Sequence, residues 1–216
     1  MNVLSMVRTP TRLRYLAVAV ALGAASPVAA QINFAGNTSF AFNNGSLGSP
    51  ASLSGLTVTN TGFNVTTVPL GGNLSFASIG GIGNNFGAIS LTGAPTFYNN
   101  VPFQLLIAFT SPQTTSQTFF ASIFGVVASA ANGGVNFMFN PTTINNIPFT
   151  SGNQTGLYSL TVNSVSVSPG QTNAQFTGSI VATTNPPVTS TPEPATLAML
   201  APGVVGALGF MRRRRS

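Results

Sequence analysis

The chain has 216 residues but one acidic residue, no histidine, no cysteine and seven cations, arginines at 8, 12, 14 and 212 to 215, for a net charge of +6. From Gln31 to Thr191, therefore, only the phenols of Tyr98 and Tyr158 can ionise. That stretch lacks a general acid or base titrating near neutral pH, a base to activate a Ser or Thr nucleophile, a His, Cys or carboxylate for zinc or strong calcium binding and a cation to neutralise phosphate, which excludes an enzyme, a cofactor and a nucleic-acid partner.

At the start of the chain, Arg8, Arg12 and Arg14 precede a uniformly apolar run from Leu16 to Ala25, and Val28, Ala29 and Ala30 supply small residues ahead of Gln31. This order predicts a secretory signal peptide over residues 1–30, its apolar run helical, cut by signal peptidase. Its arginines are expected to stay on the cytoplasmic side, like those at the far end of the chain, which leaves the middle exported. Without cysteine, no disulfide supports the exported part.

The body, about 160 residues, is the size of one ordinary domain. Its low charge and plentiful Phe, Val, Ile and Leu are the opposite of the charged composition of disorder. Strands are expected at Ser39–Asn43, Leu56–Asn64, Leu74–Ile79, Ala88–Thr92, Phe103–Phe109, Thr118–Ser129, Val135–Phe139, Tyr158–Val167 and Ala174–Ala182. In Phe103–Phe109 both parities are apolar, which predicts a central strand buried on both faces. Asn132-Gly133-Gly134 predicts a hairpin turn. The side-chain parity changes between Val162 and Val165, which predicts a bulge near Asn163 or Ser164. Clusters of Gly, Asn, Pro and Ser at Asn43–Pro50, Gly80–Asn85, Asn99–Pro102 and Asn140–Pro148 read as loops, and no part of the body has a sustained helical period. The expected fold is an all-β antiparallel β-sandwich, jelly-roll or immunoglobulin-like, over residues 31–184.

An uncharged surface leaves sheet edges without lysine guards and favours association. Asn37, Asn44, Asn64, Asn73 and Asn153 each begin an Asn-x-Ser/Thr pattern, and Ser and Thr abound, so a glycan coat is one expectation. Packing of domains on one another or within a neutral polysaccharide is the other. Neutral sugars need aromatic platforms with amide or hydroxyl partners rather than charge, and Tyr98, Asn99 and Asn100 are the candidate carbohydrate-binding residues.

Residues 185–191 form a Pro- and Thr-rich extended linker. The tail, 192–216, begins with Pro192-Glu193-Pro194, runs through 17 uncharged residues from Ala195 to Met211 and ends in Arg212, Arg213, Arg214 and Arg215. As a helix that run would extend ~25 Å, the short end of a bilayer crossing. Its Pro and Gly are tolerated in membrane helices, and the arginines should stay cytoplasmic as a stop-transfer signal.

The order and spacing of this tail resemble the PEP-CTERM sorting signal of bacterial surface proteins. Thr191 departs from the aliphatic residue often found there. The resemblance implies recognition of Pro192, Glu193 and Pro194 by an exosortase, which cuts at or near them. It also implies passage through an inner-membrane intermediate to the cell envelope, surface or extracellular matrix, in a bacterium that makes exopolysaccharide or biofilm. Separately, Phe86–Phe109 resembles modules of choice-of-anchor surface domains. The expected function is that of a non-enzymatic exported surface or matrix protein. The alternatives are a neutral-carbohydrate-binding module or a self-assembling structural subunit.

Overall fold

The computed structural model describes residues 31–185. The expected signal helix, the linker beyond Asn185, the sorting motif and the transmembrane segment lie outside the described residues.

The described chain is all-β. In order it forms β1 (Asn33–Phe42), β2 (Ala51–Leu53), β3 (Leu56–Thr59), β4 (Phe63–Thr66), β5 (Val68–Gly71), β6 (Leu74–Ile79), β7 (Ala88–Leu91) and β8 (Thr96–Ser111). It continues with β9 (Thr115–Ser129), β10 (Asn132–Phe139), β11 (Thr143–Ser151), β12 (Gln154–Val162), β13 (Val165–Val167), β14 (Thr172–Gln175) and β15 (Gly178–Thr184). They build a six-stranded sheet ordered β13-β10-β9-β8-β1-β4, a five-stranded sheet β11-β12-β15-β6-β5 and a four-stranded sheet β14-β7-β3-β2, with antiparallel pairing between neighbours.

The two smaller sheets act nearly as one layer. Phe86 N–H donates to Phe176 O and Phe176 N–H donates to Gly87 O, each at 2.9 Å, so pairing carries across the break between β6–β15 and β7–β14. Phenylalanine rings join this layer to the inner face of the six-stranded sheet. Phe34 meets Tyr158 edge-on with centroids 5.1 Å apart, Phe63 meets Phe86 at 5.3 Å and Phe137 meets Phe176 at 5.2 Å. Edge-to-face contacts of this kind add to the burial of large apolar rings. One continuous buried cluster results, consistent with a β-sandwich.

The observed strands correct several expectations. Leu56–Asn64 is not one strand: Asn60 Oδ1 accepts from Gly62 N–H at 2.7 Å in an Asx-type turn, Gly62 takes φ +68°, and β3 and β4 go to different sheets. Ala174–Ala182 divides in the same way, into β14 and β15. The parity change after Val162 is not a bulge, because the chain leaves the five-stranded sheet there and joins the six-stranded sheet at Val165. Asn140–Pro148 is largely strand β11, whose register slips between Ile144 and Ile147. β5 was likewise unexpected. The β9–β10 turn is Ala130–Ala131, and Gly133, at φ +113°, opens β10 with a register shift. Asn99–Pro102 lies within β8 rather than in a loop. The central strand β8 is buried on one face only, with Leu106 and Ala108 half-buried on the other.

Candidate functional site

The site is built by the alternation of side chains along β8, β9 and β10. One parity turns Phe103, Leu105, Phe119, Ile123, Val135 and Phe137 into the core. The other parity, on the outside of the same three strands, is also rich in large apolar groups: Phe97 is 70% exposed, Met138 56%, Phe120 55%, Val126 49% and Phe124 37%. Large apolar groups gathered on an exposed face, unlike scattered ones, mark an interaction surface.

Register places a polar group across the ladder from the outward residues of the middle rows. Phe120 stands opposite Gln104, Met138 opposite Ser122 and Phe124 opposite Asn136, while Phe97 stands opposite Val126. Cross-strand partners on one face approach within about 5 Å, so each apolar group of those rows has an amide or hydroxyl beside it.

A bulge shapes the rim. Tyr98 pairs with Gly125 and Val101 with Ile123, so β8 takes three steps where β9 takes two. Asn100 absorbs the extra residue at φ +53°, in the left-handed region that asparagine tolerates better than most residues. Gly125 is required opposite, because a Cβ there would run into the carbonyl of Gly134. Below the bulge lies a hollow of ≈ 320 Å³ lined by Asn100, Pro102, Phe120, Ser122, Met138 and Asn140, with Phe103 and Ala121 at its base. Asn100 and Asn140 are exposed, and no ionisable side chain lines the hollow.

Of the carbohydrate-binding residues expected from sequence, only Asn100 lines this hollow. Tyr98 must be corrected: it is 2% exposed, its ring points into the core and its hydroxyl donates to the carbonyl of Ser54, so it offers no platform. Burial raises its pKa, partly offset by the Thr96 hydroxyl. Tyr158 is buried too, and desolvation alone raises its pKa strongly. Asn99 is exposed on the bulge. Pro192, Glu193, Pro194 and Arg212 to Arg215 lie outside the described residues. Phe120, Met138 and Asn140 were missed by sequence reasoning, although paired apolar residues of both parities in β9, Phe119-Phe120 and Ile123-Phe124, signalled a strand with two apolar faces.

The outer face of the five-stranded sheet carries a second apolar group, Val68, Leu70, Leu74, Phe76 and Leu157, that reaches edge strand β5. Of the glycosylation patterns, Asn37, Asn44, Asn64 and Asn153 are exposed, whereas Asn73 is half-buried and its Ser75 fully buried. Comparison with protein-family models, with curated proteins and with solved structures finds no match.

Proposed function

We propose that this chain is a non-enzymatic exported protein of the cell surface or extracellular matrix, sorted through Pro192-Glu193-Pro194 and cleaved there by an exosortase. Signal peptidase removes residues 1–30, and the segment 195–211 with its four arginines holds the precursor in the inner membrane until it is cut. The observation that carries this reading is the separation of charge. Every arginine and the only carboxylate side chain lie in the two terminal segments, while the only ionisable side chains from Gln31 to Asn185 are two buried tyrosines. A body with no titrating group on its surface has nothing to run acid–base or nucleophilic chemistry. It does suit an uncharged exopolysaccharide or biofilm matrix. Within the β-sandwich class, sheets of six, five and four strands exceed both the seven to nine strands of immunoglobulin-like domains and the eight of a jelly roll, so the form we favour is an elaborated sandwich of either kind.

The intact mass of the protein from its host's envelope and medium tests this reading. A mass starting at Gln31 and ending near Pro192 to Pro194 is expected, with any excess reporting glycan. A mass that retains Arg212 to Arg215 would make the tail a permanent membrane anchor and defeat the sorting assignment.

A second reading, a neutral-carbohydrate-binding module, is favoured by the hollow beside Phe120. A third, a self-assembling subunit, draws on the apolar group around β5, although Pro69 on that strand withholds a ladder donor from any incoming edge.

A further inference from the structure

We propose that the outer face of β8, β9 and β10 binds a single chain of an uncharged polysaccharide laid along β9, with Phe120 and Phe124 as stacking platforms, Asn140 as a hydrogen-bonding partner beside Phe120 and Asn100, on the bulge level with Phe124, as a second. The proposal rests on the carbohydrate-binding reading and gives it a site, a direction and a ligand class.

Three observations select this occupant. The first is charge: no ionisable side chain other than the two buried tyrosines occurs in the described residues, so the face cannot compensate the loss of water around an ionic ligand, and its complement is neutral. The second is the mixture of groups. A pyranose presents an apolar C–H face bordered by hydroxyls, and here Phe120 lies across from Gln104 and Phe124 across from Asn136. A protein partner would instead favour a continuous apolar core with a polar rim. The third is length. Phe120 and Phe124 point outward four residues apart on one strand, ~13 Å, and Val126 with its partner Phe97 extends the row to ~20 Å from Phe120. A row of that length suits several consecutive sugar units.

Burial explains why these side chains are free to do this. Phe120 and Met138 are more than half exposed, and Asn100 and Asn140 are exposed on the rim, so none of the four is needed to fill the core. The bulge fixes the backbone of Asn100 before any ligand arrives, which removes the backbone part of the ordering cost of binding.

The test is depletion of the processed protein from solution by beads of cellulose, mannan, curdlan and cross-linked dextran, with alginate beads as the charged control. Retention is expected on at least one neutral bead and not on alginate, unchanged by moderate salt, and competed far better by a hexasaccharide of the retained polymer than by its monosaccharide. Phe120→Thr, with its unfolding midpoint kept, and Phe124→Thr, with a modest loss of midpoint because that ring is only 37% exposed, should each weaken retention about tenfold. Asn140→Ala should weaken it about fivefold and serves as the second probe should either Phe variant fail to fold. Retention by the variants equal to that of the parent protein would overturn this site while leaving carbohydrate binding standing. No retention on any of the four neutral beads would overturn both. A dimer in sedimentation that Phe120→Thr dissolves, without retention on beads, would assign the face to a second copy.

Discussion

The two faces of β8, β9 and β10 are built from the same strands and carry similar side chains, yet they have different reasons to exist. On the inner face Phe103, Phe119 and Phe137 are at most 2% exposed and pack among other rings. On the outer face Phe97, Phe120 and Phe124 range from 37% to 70% exposed. Burial of apolar surface stabilises the fold through the first set and contributes far less through the second. Where the described residues put no charge on the surface, aromatic groups left exposed on one sheet are better explained by what they meet than by what they hold together.

The largest effect should come from emptying the core beneath the inner face by truncating Phe176, which lies in the opposite layer, is fully buried and meets Phe40, Phe103, Phe137 and Phe139 with centroids 5.2 to 6.2 Å apart. Phe176→Ala should cost about 3–5 kcal/mol, read from the denaturant midpoint, because the ring links both layers and its cavity cannot collapse without moving several neighbours.

Next in size is the response to pH. Both tyrosines have pKa values raised by burial above the usual ~10 of the unfolded chain. The folded state therefore holds its phenolic protons at pH values where the unfolded state has released them. Their contribution is fully present below about pH 10 and is lost as pH rises further. Urea midpoints should be level from about pH 4 to pH 9 and then fall. A steep acid transition would contradict the charge reading of the domain.

Smaller still are the two hydroxyls. The Tyr158 hydroxyl is buried with no hydrogen-bond partner among the described residues, so Tyr158→Phe should raise stability by about 1 kcal/mol. Tyr98→Phe loses the bond to the Ser54 carbonyl and should cost about 1 kcal/mol. Thermal unfolding of the two variants side by side checks the opposite signs.

The class of the fold was legible in the sequence because alternation is local: Val135, Phe137 and Phe139 announce their own strand, and no helical period competes. The sheets to which strands belong were not legible. Whether the chain bulges or changes sheet between Val162 and Val165 depends on where β15 and β10 lie, which no short window contains. The break at Asn60–Gly62 did have a local signal, an Asn-x-Gly able to close an Asx turn, but the flanking apolar residues outweighed it. Tyr98 shows how a site can be misread. Beside two asparagines it resembled a turn with a surface ring, whereas a one-residue bulge turns the ring inward and leaves Asn100 at the rim. The exposed Phe120 could be anticipated only as one of two neighbouring phenylalanines; which of them faced out was set by register with Gln104 and Leu105.

The most direct test of the contrast between the outer face and the core that the inner face packs on is the denaturant midpoint of Phe120→Thr measured beside that of Phe176→Ala. Threonine keeps the strand propensity while removing the exposed ring. The two-face account predicts that Phe120→Thr stays within about 0.5 kcal/mol of the parent protein while Phe176→Ala loses several kcal/mol. A loss at Phe120 comparable to that at Phe176 would show that the outer ring is part of the core's support, and the functional assignment of that face would fail.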